Sequence, residues 1–198
     1  MVVAPLSPAE YLREEAKSPE KREYIDGEVV AMAGASRNHG LISSELPMIL
    51  PREVGFRYLN SDVKVYIAPR QSYLYPDACI ACPPHWTDEE KGAIDNPVAI
   101  FEVLSPGTEL RDRTTKFDLY ALLPSVREIV FIASERRSAE TYLRTEDGRW
   151  LRSQATGGML RLVSLGGDLD LDRLYDGVQI QEPDLSDILK GLRDEKGE

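Results

Sequence analysis

The sequence predicts an α/β domain in which helices flank a mixed central sheet, with a helix and hairpin before that sheet and a β-meander after it. Three observations support this prediction. Apolar strand-like segments alternate with helical ones in the middle of the chain, and 198 residues suit one domain with a sizeable core. The composition, 42% hydrophobic and 29% charged, is typical of globular proteins. We therefore expect a single domain over residues 1–188 and a frayed, charged tail over residues 189–198.

The N-terminal part is predicted to form a helix, a hairpin and a second helix. A capping pattern at residues 7–10, SPAE, predicts the start of a short helix. Asp26-Gly27, followed by β-branched residues, predicts the turn of a hairpin. A second helix is expected within residues 36–54, where Pro47 must bend or end it.

The middle of the chain is predicted to supply the sheet. Strand composition is found in residues 56–67, 73–82, 97–105 and 127–134. A helix is expected between the last two segments, ending near Pro124. Residues 136–162 contain short strand-like runs separated by glycine turns, which predict a meander.

Two carboxylates lie in or beside these predicted strands. Asp77 follows Pro76 at the entry to one strand, and Glu102 lies in the middle of an apolar run, residues 98–104. Because side chains alternate between the two faces of a strand, adjacent strands in register can bring Asp77 and Glu102 opposite one another. Such a pair repels unless a cation is shared, and Mg²⁺ binds a couple of carboxylates while keeping waters for substrate phosphates. The pair therefore predicts a metal site for phosphodiester hydrolysis.

A purely structural interpretation stays open for each residue. Asp77 can cap the entry to its strand, and Glu102 can lie at a partly solvated strand end. A carboxylate pair can also serve as the acid and base of a glycosidase, but that requires aromatic platforms near the pair. Trp86 and Trp150, the two tryptophans, are not close to it in the sequence, so this function ranks last.

The order of the elements resembles the core of the P-D…(D/E)-x-K nuclease superfamily. The lysine that this motif places two residues after the glutamate is replaced by Leu104. Lys116, in the first turn of the following helix, is in position to supply the ammonium instead, since lysine migration to this helix is a known variation in the superfamily. The alternative for Lys116 is an amphipathic-helix lysine that extends to water.

The chain resembles one family of this superfamily more closely, the Uma family of "putative restriction endonucleases". The resemblance extends from about Tyr11 to Val178 and rests on an ordered set of motifs: EYIDGEVVAMAG, SDVKVYI, YPDACI, EVLSPGT and RDRTTKFDLYALL. It implies a restriction-endonuclease-like fold and a DNA phosphodiesterase that depends on Mg²⁺ or Mn²⁺. Its site would consist of Asp77, Glu102 and Lys116, with the backbone carbonyl of Val103 as a further metal ligand.

Accessory residues follow from the same resemblance and from their positions. His39, before Gly40 at a helix start, matches the family's HG pair and can face the metal site, although a lone histidine is usually structural or exposed. Asp112 can cap its helix or pair with Lys116, and capping is favoured. Arg111 and Arg113 can contact phosphates, although solvated surface arginines are the common alternative. Glu23 is a weaker candidate for the same site, and the solvent side of the hairpin is favoured for it.

The net charge of −10 argues against broad, non-specific coating of nucleic acid, which requires a basic surface. No apolar run is long enough to cross a bilayer, and two cysteines with no signal peptide indicate the cytoplasm. The expected function is a metal-dependent endonuclease acting on DNA, as a homodimer. The alternative is a catalytically inactive module of the same fold, with a binding or regulatory role.

Overall fold

The computed structural model describes residues 6–32, 34–88 and 92–180. The predicted tail, residues 189–198, lies outside this described part. The helices are α1 (Pro8–Glu15), α2 (Arg37–Ile49), α3 (Glu109–Arg111), α4 (Phe117–Ala121) and α5 (Leu171–Leu174). A π-helical turn (Asp112–Lys116) joins α3 to α4, and short 3₁₀ helices span Ala68–Arg70 and Val163–Leu165.

The strands up to the middle of the chain are β1 (Arg22–Ile25), β2 (Glu28–Ala31), β3 (Arg57–Asn60), β4 (Lys64–Ile67), β5 (Ser72–Leu74), β6 (Ala78–Ala81), β7 (Trp86–Asp88), β8 (Ala93–Ile94) and β9 (Pro97–Leu104). The remaining strands are β10 (Glu128–Ala133), β11 (Ala139–Arg144), β12 (Trp150–Ala155), β13 (Met159–Leu162) and β14 (Gly167–Asp170).

These strands form two mixed six-stranded sheets and a hairpin. The first sheet has the order β2-β1-β5-β4-β8-β7 and the second has the order β12-β11-β10-β9-β6-β3, while β13 pairs with β14. In the second sheet β9 runs parallel to β10 and antiparallel to β6. The predicted mixed α/β class is confirmed. The single central sheet that we expected is instead divided into two.

The division occurs where two strand-like segments of the sequence cross from one sheet to the other. Residues 56–67 supply β3 to the second sheet and β4 to the first, with a turn at Ser61 between them. Residues 73–82 likewise continue from β5 in the first sheet to β6 in the second. Pro76 lies at this crossing, and because proline has no N–H to donate, it favours a break in the ladder.

The second sheet is covered on both faces. The side chains of Ala99, Phe101 and Val103 pack with α2, α5 and the β13–β14 hairpin. Ile100 and Leu104 point to the opposite face, where they pack with α4 and with the apolar side of the first sheet. This period-2 alternation explains why β9 is apolar at nearly every position, since both of its faces are buried.

Local predictions near the termini are largely confirmed. Ser7 and Glu10 form a reciprocal capping box at the start of α1, and Asp26 lies at the hairpin turn between β1 and β2. Helix α2 includes Pro47 and ends two residues after it. Within the predicted meander, residues 136–162, β11 and β12 extend the second sheet, whereas β13 leaves it and pairs with β14.

Candidate active site

Asp77 and Glu102 lie on the same face of the second sheet. Ala78 of β6 pairs with Phe101 of β9, so one further step in this antiparallel register sets Asp77 opposite Glu102. Both residues share their face with apolar side chains that pack beneath α4, namely Cys79 and Ile100, each two positions away along its strand. The face of the sheet that carries the two carboxylates is therefore the one that the helix carrying Lys116 covers.

Glu102 is almost completely buried, with 2% of its surface exposed. Its carboxylate accepts hydrogen bonds from Lys116, with Nζ 3.2 Å from Oε1 and 3.3 Å from Oε2. The hydroxyl of Tyr120 donates to Oε1 over 2.7 Å. Lys116 and Tyr120 are one helical turn apart, so a single helix face supplies both donors.

The ammonium of Lys116 contacts three carboxylates at once. Besides Glu102, it lies 3.1 Å from Oε1 of Glu23 and 3.3 Å from Oδ1 of Asp112. The π-helical turn contributes to this arrangement, because Asp112 and Lys116 are its first and last residues and are both buried. Wide turns of this kind occur frequently at functional sites. The capping interpretation of Asp112 is wrong, since this residue lies inside the helical segment and Thr108 occupies the cap of α3.

Asp77 is held by one side chain and one backbone group. Its Oδ1 lies 3.0 Å from Nε2 of His39, at the start of α2, and its Oδ2 accepts a hydrogen bond of 2.6 Å from the N–H of Val103. In a strand the N–H and C=O of one residue point to the same side. The carbonyl of Val103 is therefore directed towards the edge of β9 at which Asp77 lies, beyond the end of the β6 ladder.

Burial and charge shift the proton affinities of this cluster. Burial is the largest cause that raises the pKa of Glu102 well above its ordinary value; Lys116 opposes this effect, and the neighbouring carboxylates add to it. Burial alone would lower the pKa of Lys116, but the surrounding carboxylates outweigh it and raise that pKa. Burial likewise acts to lower the pKa of His39, and the hydrogen bond and charge of Asp77 reverse the direction, so its pKa is raised. Lys116 is therefore charged at neutral pH, and its ammonium is the group that offsets the buried carboxylates.

Glu23 belongs to the site, although the sequence analysis assigned it to the solvent side of the hairpin. This assignment is wrong: Glu23 lies on β1 of the first sheet and is 1% exposed. Its Oε1 accepts a hydrogen bond from the N–H of Tyr75 over 3.0 Å and contacts Lys116, and its Oε2 accepts from Arg111. Strand alternation alone could not assign the side, because both faces of a short hairpin can be covered once a second sheet packs nearby.

The two arginines are separated by the structure. Arg111 lines the cleft beside Glu23. Arg113 points away from it and binds Glu109 and Glu140, with Nη2 2.8 Å from Oε1 of Glu140. Arg113 is thus not brought together with the other candidate residues.

A cleft of about 590 Å³ opens over the cluster. One side of the cleft is formed by the N-terminal hairpin and the segment that follows it. The other side is formed by the end of β9 and the start of the next helix. Its lining includes Asp77, Glu102, Val103, Lys116, His39, Glu23, Asp112 and Arg111. Lys21 and the hydroxyl-bearing Ser36, Ser61, Ser105 and Thr108 also line it.

The donor set fits a hard divalent cation that keeps part of its water shell. Two carboxylates and one backbone carbonyl converge at one strand edge, and oxygen ligands of this kind suit Mg²⁺ or Mn²⁺. Within the described residues, no group of three or more His, Cys, Asp or Glu side chains is arranged to hold a metal. A cation on Asp77 and Glu102 would therefore take its remaining ligands from backbone, solvent or substrate oxygens.

Comparison with known proteins gives concordant matches. A family model described as "Uma2: Putative restriction endonuclease" matches residues 8–172. Two uncharacterized proteins of Synechocystis sp., slr1290 and sll1609, are 36% and 38% identical to the chain, over 87% and 79% of its length and 93% of their own. The fold is similar to that of a crystal structure titled as a "putative nuclease" of the DUF820 group from Anabaena variabilis, with a TM-score of 0.66 at 18% identity over 88% of this chain and all of the other.

None of the helices within residues 6–32, 34–88 and 92–180 has the length and hydropathy that a membrane span requires.

Proposed function

The chain belongs to the Uma2 family, described as "Putative restriction endonuclease", and from this membership and the geometry of the cleft we propose that it is a metal-dependent endonuclease that hydrolyses DNA phosphodiester bonds. The observation that carries the proposal is the convergence of Asp77, Glu102 and Lys116 in one cleft. A paired carboxylate set beside a buried ammonium is suited to the charge that develops on a phosphate under attack.

We assign the metal to Asp77, Glu102 and the carbonyl of Val103. Bound there, Mg²⁺ or Mn²⁺ would polarise a phosphoryl oxygen and lower the pKa of a water. His39 orients Asp77 through their 3.0 Å contact, and Tyr120 orients Glu102 through its hydroxyl. Lys116 presents a fixed positive charge to the phosphate oxygens, the kind of preorganised stabilisation that usually contributes most to catalysis.

The remaining assignments belong to the same proposal. The polar rim of the cleft and Arg111 contact the DNA backbone, which positions a substrate without reading its sequence. Residues 1–188 act as one unit in the cytoplasm, where free thiols such as the exposed Cys82 stay reduced. Two chains form a symmetric dimer, which suits cleavage of both strands.

The test is cleavage of supercoiled plasmid by the purified protein in Mg²⁺ or Mn²⁺. The wild type should nick the plasmid, chelator should stop it, and Glu102→Gln and Asp77→Asn should abolish it. Asp168→Asn, an exposed carboxylate on β14, is the matched control and should cut like the wild type. Equal traces of cleavage by the wild type and Glu102→Gln would identify a contaminant and favour the inactive binding module.

Metal binding has a readout that does not need cleavage. A cation that binds only the folded protein raises its stability by mass action, by about 2.7 kcal/mol at a concentration 100 times the dissociation constant. Mn²⁺ should therefore raise the melting temperature of the wild type and of Asp168→Asn. Asp77→Asn should remove the effect, and a wild type that shows no shift at millimolar Mn²⁺ contradicts the metal assignment.

A further inference from the structure

Glu23 is a buried carboxylate that the proposed chemistry leaves without a role. It comes from β1 of the first sheet, whereas Glu102 and Lys116 come from the second sheet and the helix above it. Both of its oxygens are engaged by donors: the N–H of Tyr75 and Lys116 at Oε1, and Arg111 at Oε2. A carboxylate buried to this degree is kept only where its charge is paired, and here two cations pair it.

The contacts of Lys116 explain what such a residue can do. Lys116 donates hydrogen bonds to both oxygens of Glu102, and its ammonium also lies at ion-pair distance from Glu23 and Asp112, at 3.1 and 3.3 Å. A divalent cation on Glu102 would repel the ammonium and compete for the same oxygens. If Glu102 were the sole partner of Lys116, metal binding would release the lysine from the place where its charge is needed.

We propose that Glu23 is a positioning residue, which together with Asp112 anchors the ammonium of Lys116 in the cleft independently of Glu102. This proposal rests on the proposed nuclease function, because it assigns Lys116 a task in that reaction. Glu23 acts through Lys116 and is not assigned to the metal, since two different cations, Lys116 and Arg111, and the N–H of Tyr75 already hold its oxygens. The same carboxylate fixes Arg111 at the wall of the cleft, so one hairpin residue orients both basic side chains.

Both sheets contribute charged side chains to the cleft, Glu23 from the first sheet and Glu102 from the second. Asp112 is attached to the same helical segment as Lys116 and moves with it. Glu23 is the anchor from outside that segment, and it joins the helix to the N-terminal hairpin. The hairpin thus contributes to the site by a charge pair and not only by covering it.

The first test follows the lysine directly and needs neither metal nor DNA. In a ¹H–¹⁵N correlation spectrum of the lysine ammonium groups, a buried ammonium with three carboxylate partners exchanges its protons slowly and gives a signal. Lys116→Arg assigns that signal by its disappearance. Glu23→Gln should broaden or remove it, whereas Glu28→Gln, an exposed carboxylate on β2 of the same hairpin, should leave it unchanged. A Lys116 signal that persists unaltered in Glu23→Gln overturns the proposal.

The second test separates positioning from metal binding. Glu23→Gln should lower kcat at saturating Mn²⁺ by about 10- to 100-fold, the usual effect of an outer-shell partner, and change the dissociation constant of Mn²⁺ by less than about threefold. The constant is measured by calorimetry without DNA. Glu28→Gln should match the wild type in both. A tenfold or greater loss of Mn²⁺ affinity in Glu23→Gln would make Glu23 a ligand, and an unchanged kcat would remove its role.

The two tests also distinguish this proposal from the proposed function. If the wild type does not cut DNA but the Lys116 signal is lost in Glu23→Gln, the anchoring stands and the nuclease assignment fails. If the wild type cuts DNA and Glu23→Gln cuts equally well, the anchoring fails and the nuclease assignment stands.

Discussion

Glu102 is a carboxylate that folding brings into an apolar sheet face at a cost in free energy, and Lys116 and Tyr120 offset that cost. Removing a carboxylate from water costs several kcal/mol, and an ion pair in the interior returns this only with good geometry. The raised pKa of Glu102 indicates that its ion pair does not fully offset the cost of burial, because burial outweighs the attraction of Lys116. The charged form of Glu102 therefore lowers the free energy of unfolding, which is not expected of a residue that serves the fold alone.

Substitutions at this pair should have opposite effects on the metal-free protein. Glu102→Gln removes the charge that burial disfavours and leaves Lys116 with Glu23 and Asp112, so the free energy of unfolding should stay equal or rise. Lys116→Met leaves Glu102 and Asp112 without their cation and Glu23 with Arg111 alone, and it should lower the free energy of unfolding by about 3–5 kcal/mol. Urea unfolding in the presence of a chelator measures the free energy of unfolding of both variants. A loss of about 2 kcal/mol or more in Glu102→Gln would contradict this account.

The contact of Tyr120 with Glu102 gives a second prediction about that carboxylate. Its hydroxyl holds Oε1 of Glu102, and burial raises the pKa of Tyr120 so that it remains a donor. Tyr120→Phe should weaken Mn²⁺ binding by about tenfold, since Lys116 then remains as the orienting partner of Glu102 without the hydroxyl. Calorimetry measures this affinity. Tyr66→Phe, in the first sheet, is the control, and equal affinities in all three proteins would show that the hydroxyl does not orient the carboxylate.

The residues of the site could be predicted from the sequence only where local pattern carries the information. Asp77 and Glu102 stand out because each interrupts an apolar strand, and Lys116 because it lies on the next helix. Glu23 does not stand out, since a glutamate in a short hairpin is usually solvated. Its burial depends on Lys116 and Arg111, far along the chain, and single-sequence patterns do not contain such long-range pairings.

At the scale of elements, the sequence predicts strands better than it predicts sheets. The alternation in β9 predicts which side chains share a face, and in the structure the same side chains do share a face. Alternation does not specify which strand is the neighbour. The segments 56–67 and 73–82 each read as one strand, but a turn and Pro76 divide them between two sheets. Both crossings border the cleft, so the division that the sequence did not predict is also what builds the site.

Glu140 connects the helix of the site to the outer strands and should make stability depend on pH. It lies on β11 and accepts hydrogen bonds from Arg113 and from Nε of Arg152, the latter over 2.8 Å. Burial acts to raise the pKa of Glu140, but these bonds outweigh it and lower the pKa to about 2.

Because this pKa is lower in the folded than in the unfolded protein, Glu140 stabilises the fold above pH ~4.5, and this contribution disappears as the pH falls towards 2. Its magnitude is about 2 kcal/mol, allowing for the screening of the half-exposed Arg152. Urea unfolding at pH 7 should show Glu140→Gln less stable than the wild type by roughly that amount. At pH 3 the difference should shrink, and a difference independent of pH would contradict the assigned charge pairs.

At the scale of the whole molecule, the charge of the chain opposes its proposed substrate. The net charge is −10, and the basic residues that line the cleft are Lys21, Arg111 and Lys116. Lys21 is itself paired with Asp62 at 2.6 Å. Within the described residues the cleft therefore offers few cations to a phosphate, and a divalent cation bound there would supply much of the positive charge that it lacks.

This distribution predicts a shallow dependence of DNA affinity on salt. Each phosphate contact adds about 0.9 to the slope of log K against log salt, so at most three cleft cations limit the loss to roughly 50-fold between about 50 and 200 mM salt. Proteins that make 6–10 phosphate contacts lose about 10³–10⁵ over that range. Fluorescence anisotropy of a labelled duplex, titrated in chelator so that it stays intact, measures the slope. Arg111→Gln should reduce the slope by about one, whereas Arg149→Gln, on the exposed turn before β12, should not change it. A loss of 10³ or more in the wild type would require an extended basic interface and would contradict this prediction.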